Sequence, residues 1–113
     1  MQVTLYHNPR CSKSRDALAI LKKQKVDIEI IEYLKSPLNS STLKEILSKL
    51  GGSAHQLIRT NEKKYRSLNL AQADDDRIIS TLAAHPNLLQ RPIIVSKTNA
   101  VIGRPPEKVL SVL

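Results

Sequence analysis

The stretch Gln2-Val3-Thr4-Leu5-Tyr6-His7-Asn8-Pro9-Arg10-Cys11-Ser12-Lys13-Ser14-Arg15 passes from a β-rich run through a turn into a helix. Val, Thr, Leu and Tyr suit a pleated strand, Asn8-Pro9 stops it, and Ala17, Leu18, Ile20 and Leu21 then recur at the spacing of one helix face. Residues 28–33 read as a second strand, ended by Pro37 and Asn39-Ser40-Ser41. Strand, helix, strand is a βαβ unit, so the two strands should run parallel with a right-handed crossover.

Downstream, Leu43, Ile46, Leu47 and Leu50 stand at i, i+3, i+4 and i+7, with Asn39 or Ser40 as N-cap and Gly51-Gly52 past the end. Shorter helical pieces are expected over residues 54–58 and 63–68, broken at Thr60-Asn61. Asp74 caps a further helix that buries Ile78, Ile79, Leu82 and Ala83 and runs to His85-Pro86. Ile93-Ile94-Val95 and Ala100-Val101-Ile102 read as an antiparallel hairpin across Lys97-Thr98-Asn99, and Pro105-Pro106 opens a last helix with Val109 and Leu110 inward.

The order β-α-β, helices, β-β-α matches an α/β thioredoxin-like architecture: one domain over residues 1–113 with a mixed four-stranded sheet and a helical insertion at about 39–86. A proline directly before the third strand fits that frame, and the Arg91–Pro92 bond is expected to be cis, holding backbone close to the first helix.

The chain has 113 residues, one cysteine and a formal net charge of +8. One cysteine allows no internal disulfide, no run resembles a secretory signal, and no apolar stretch approaches the roughly 20 residues that span a bilayer, so a cytoplasmic, membrane-free setting is expected. The positive charge does not make a nucleic-acid binder: the cations are spread along the chain, Trp and Phe are absent, and no finger or helix-turn-helix spacing occurs. Small anions are the expected partners.

Cys11 sits where a helix begins, among Arg10, Lys13 and Arg15. A helix N-terminus and nearby cations favour the thiolate, which is the reactive form. Cys11-Ser12-Lys13-Ser14 is a C-x-x-S motif in which a hydroxyl replaces the resolving thiol, so a redox cycle must borrow a second thiol from outside. The competing reading is an inert buried cysteine. His7 is a candidate hydrogen-bonding or cationic neighbour, and Ser14 either caps the helix or donates its hydroxyl to the sulfur.

Arg59, Arg91 and Arg104 each stand in a turn-like context, the last two immediately before a proline. A guanidinium fork donates two parallel hydrogen bonds and keeps its charge, which suits a tetrahedral oxyanion. A phosphatase C-x5-R cradle is excluded because its arginine position is Ala17. His7, His55 and His85 show no metal-ligand spacing with Cys11, no Gly-rich phosphate loop occurs, and Asp74-Asp75-Asp76 reads as a helix start. No bound cofactor or metal is expected.

Taken together, His7-Asn8-Pro9 before Cys11, Ser14-Arg15 after it, Leu57-Ile58-Arg59, His85-Pro86 through Arg91-Pro92-Ile93-Ile94-Val95, and Gly103-Arg104-Pro105 resemble the glutaredoxin-coupled arsenate reductases of bacteria, end to end. The resemblance implies a catalytic Cys11, an oxyanion held by Arg59, Arg91 and Arg104, and supporting roles for His7, Ser14 and Arg15. It also implies glutathione as co-substrate and glutaredoxin as the partner that resolves the arsenic adduct. The chain departs from plasmid-type members at Arg10, Ser12 and Lys13, where those carry small residues. Two other readings stand beside it: a monothiol oxidoreductase acting on glutathione mixed disulfides, and a regulator that binds RNA polymerase, as some members of this superfamily do.

Overall fold

The computed structural model describes residues 1–113. Its contacts divide the chain into two compact units, Met1–Ser36 with Arg91–Leu113, and Pro37–Gln90.

In the first unit, β1 (Gln2–His7) pairs in parallel with β2 (Asp27–Glu32), Val3 opposite Ile28 and Leu5 opposite Ile30. α1 (Ser12–Lys22) makes the crossover between them. β1 also pairs antiparallel with β3 (Ile93–Val95), and β3 with β4 (Ala100–Ile102), giving a mixed sheet in the order β2-β1-β3-β4. Alternation along β1 sends Val3 and Leu5 into a core with Ala17 and Leu21 of α1, Ile94 of β3, and Val109 and Val112. Full burial of side chains of this size contributes roughly 1.5 to 3 kcal/mol each.

The second strand lies one residue earlier than its sequence pattern suggests. Tyr33 is buried outside the ladder, because the N–H groups of Lys35 and Ser36 both fold back onto the Glu32 carbonyl. The C-terminal helix is corrected in type and in face. Pro106–Val112 is a 3₁₀ helix, whose three-residue period brings Val109 and Val112 to one side, and Leu110 is 43% exposed rather than inward.

The second unit is helical. α2 (Ser40–Leu50) is capped by the Asn39 side chain, which accepts from the Thr42 N–H, and α4 (Asp75–Ala84) by Asp74, which accepts from the Arg77 N–H. Leu43 and Ile46 of α2 are buried, Leu47 and Leu50 half-buried; α4 buries Ile78, Ile79 and Leu82. Between these helices come a 3₁₀ turn at Ala54–Leu57, α3 (Lys63–Ser67) and a 3₁₀ turn at Leu70–Gln72, with another at Pro86–Leu88. Ile58 and Leu89 form an isolated antiparallel bridge that ties the middle of the unit to its C-terminal end.

Candidate active site

The β1–α1 loop is closed by its own sequence. Asn8 accepts the Arg10 N–H on its side chain and the Cys11 N–H on its carbonyl, both at 3.0 Å, forming the Asx-type turn that the Asn-Pro pair favours. This turn leaves Cys11 as the N-cap of α1, with extended backbone (φ −92°, ψ 123°) and no side-chain cap bond. The sulfur therefore faces the unsatisfied N–H groups of the helix's first turn. Burial raises the Cys11 thiol and is the largest single influence. It is outweighed by the Ser14 N–H, by the hydrogen bond and charge of the Arg91 guanidinium, and by the Lys13 N–H, so the thiol lies below its ordinary value.

Two expectations change here. The depressing charge on Cys11 comes from Arg91, 80 positions along the chain, and not from the side chains of Arg10, Lys13 or Arg15. Arg15 instead spends Nη1 on the Pro9 carbonyl at 3.0 Å, clamping the loop. Nor does the Ser14 hydroxyl cap the helix or face the sulfur. Fully buried, it shares a 2.7 Å hydrogen bond with Nδ1 of His7 and accepts the Asn8 N–H at 3.1 Å; the Ser14 backbone N–H serves the sulfur. His7 is itself buried, and its imidazole is pushed below its usual value, chiefly by burial and further by Arg15 and Lys22, against an opposing pull from Glu32. His7 is thus a strut of the loop, bonded to Ser14, whose charged form burial disfavours.

Arg91 and Arg104 come from the two ends of the β3–β4 hairpin. Nη2 of Arg104 lies 4.0 Å from Cys11 Sγ, and its Nε donates to the Arg91 carbonyl at 2.8 Å. Arg91 buries Nε and Nη1 with no protein partner for either. Both peptide bonds that follow these arginines are cis, Arg91–Pro92 and Arg104–Pro105; only the first is expected from the sequence. The Gly103 N–H donates to the Pro92 carbonyl at 2.8 Å, and a Cβ on Gly103 would lie 2.9 Å from Pro92 Cγ. That position requires glycine because of the close approach.

Arg59 belongs to the Pro37–Gln90 unit. It follows the Ile58–Leu89 bridge, its N–H donates to the Leu88 carbonyl at 2.8 Å, and its Nη1 ion-pairs with Glu62 at 2.6 Å. Asn8, which organises the loop, figures in the sequence reading as the stop of the first strand and not as a site residue, although Asn before Pro is the signal of such a turn. No cluster of His, Cys, Asp or Glu suited to a metal occurs, and no helix is long and apolar enough to cross a membrane.

A mixed four-stranded sheet with the chain's one cysteine at the start of its first helix, its thiol held below the ordinary value, defines a protein of thioredoxin-like fold. The ArsC family model matches residues 6–112, and the chain belongs to the ArsC family. It is 44% identical to the uncharacterized protein YfgD of Escherichia coli K12, over 99% of this chain and 97% of that one. It is 40% identical to an arsenate reductase of Haemophilus influenzae over the whole of both chains. The solved arsenate reductase from Vibrio cholerae superposes with a TM-score of 0.95 at 40% identity, covering 100% of this chain and 98% of that one.

Proposed function

We propose that this chain reduces arsenate to arsenite, with Cys11 as nucleophile, Arg59, Arg91 and Arg104 as donors to the oxyanion, and glutathione and glutaredoxin supplying the remaining thiols. One observation carries the reading: a depressed thiol beside an Arg91 guanidinium with two buried, unpartnered N–H groups. Leaving buried donors unsatisfied costs about 1 to 3 kcal/mol each, and a tetrahedral oxyanion removes that cost by accepting both. Arginine relatives of the thiol would be superfluous in an enzyme that only exchanged disulfides.

The Cys11 thiolate forms a sulfur–arsenic bond as one arsenate oxygen leaves as water. Glutathione then adds to this adduct and glutaredoxin resolves it. The electron pair that takes arsenic(V) to arsenic(III) comes from joining two thiols as a disulfide, and arsenite departs. A chain with one cysteine needs outside thiols for this, and a reducing cytoplasm suits it. His7, Ser14 and Arg15 act by holding the loop.

A coupled assay that measures arsenite tests the proposal, with glutathione and glutaredoxin omitted in turn. Arsenite should form only with Cys11 and both partners present. Formation no faster than with Cys11→Ser, under the complete mixture, would sink it.

A further inference from the structure

Beside the active-site loop, and entirely within the first unit, lies a cleft of roughly 200 Å³ lined by His7, Pro9, Arg10, Glu32, Leu34 and Lys35, together with Asn8. Its charges are two cations around one carboxylate. Glu32 and Lys35 pair at 3.5 Å, but their side chains are 39% and 80% exposed, and an ion pair so solvated contributes about 0 to 1 kcal/mol, so a ligand can exchange into it. The Arg10 guanidinium has no protein partner, since only its backbone N–H is engaged, by Asn8. Leu34 is 46% exposed and, with Pro9, supplies an apolar patch among these charges.

Two cations, one anion and a small apolar patch complement a short peptide with two carboxylates, one ammonium and an aliphatic stem. We propose that this cleft seats the charged end of glutathione: a peptide carboxylate on Arg10 and Lys35, its ammonium on Glu32. This deepens, and rests on, the reading of the chain as a glutathione-dependent reductase. The cleft is smaller than the roughly 300 Å³ at which sites begin to enclose a whole drug-sized ligand, so it holds one end of the tripeptide and leaves the rest outside. The reach is adequate. Arg10 immediately precedes Cys11, a Cα separation of about 3.8 Å, and an extended tripeptide spans about 10 Å. A ligand anchored at Arg10 therefore lies within a tripeptide's length of the neighbouring Cys11 backbone. The cation that replaces a small residue before the cysteine then has a purpose other than tuning the thiol, on which the Arg10 charge does not bear.

The test is titration of the intact protein with S-methylglutathione, followed by amide chemical shifts. This ligand cannot turn over, so the outcome does not depend on whether arsenate is the substrate; the coupled assay judges that separately. Saturable shifts at the amides of Arg10, Leu34 and Lys35 are expected, with binding weakened at least about tenfold by the double charge reversal Arg10→Glu, Lys35→Glu. Both side chains are exposed, and the spectrum itself reports whether the variant is folded. Absence of shifts at millimolar ligand, shifts confined elsewhere, or a double variant that binds as well as the original would each overturn the proposal.

Discussion

Arg104 donates its Nε–H to the backbone carbonyl of Arg91 at 2.8 Å while its Nη2 stands 4.0 Å from Cys11 Sγ. The side chain that approaches the Cys11 sulfur also fixes the peptide group of the other arginine on the same hairpin. The two arginines therefore act as a coupled pair, and single substitutions should not be additive.

Arg91→Ala is expected to lower kcat/KM for arsenate by roughly 2 to 4 kcal/mol, the usual cost of losing a donor to a developing oxyanion. Arg104→Lys keeps the charge but cannot reproduce the planar fork, so it should fall well below the unmodified protein. The double variant should cost less than the sum of the two. Steady-state arsenate kinetics on all three decides this; full additivity would show that the Nε bond has no bearing on Arg91.

His7 gives the fold a sensitivity to acid. Its folded value lies below the ordinary 6.5, chiefly through burial, so between the two values the unfolded chain binds a proton that the folded chain does not. Stability should therefore drop as pH falls through 6.5 and level off below the folded value. Urea unfolding across this range, compared with His7→Gln, isolates the contribution. A variant with the same pH slope as the original would remove His7 as its source.

Gly103 tolerates no side chain. The added Cβ of Gly103→Ala would meet Pro92 Cγ at 2.9 Å and Val109 Cγ1 at 3.0 Å, and crowding of this kind costs about 1 to 3 kcal/mol. The melting temperature should fall, and activity with it, because the same contact places the Arg91–Pro92 segment. A thermal melt indistinguishable from that of the unmodified protein would contradict this packing.

The scaffold was legible where local pattern and tertiary demand coincide. Leu5 alternates into the core of a strand, Leu43 and Ile46 follow a helical period, and Asn39 and Asp74 cap as their chemistry dictates. Where three-residue geometry replaces the α-helix, periodicity misleads: Leu110 turns outward and Val112 inward. At the site, Cys11 and its arginines stand out by residue type, but proximity in sequence misassigns the electrostatics. Arg10, Lys13 and Arg15 are neighbours of Cys11 in the chain, whereas Arg91 acts on it through the fold. The Ser14 hydroxyl is likewise claimed by His7, a partner across the loop that no spacing rule identifies.

The central claim is that Cys11 is a nucleophile whose thiolate form is favoured and which stands against an oxyanion seat, and the rate of its alkylation against pH, with and without arsenate, tests that most directly. With the thiol held down by Arg91 and the Ser14 and Lys13 N–H groups, the midpoint should lie below the ordinary thiol value of 9.0, and arsenate should slow the reaction. Arg91→Ala should raise the midpoint. A midpoint at 9.0 or above that arsenate leaves untouched would contradict the claim and return Cys11 to an inert structural role.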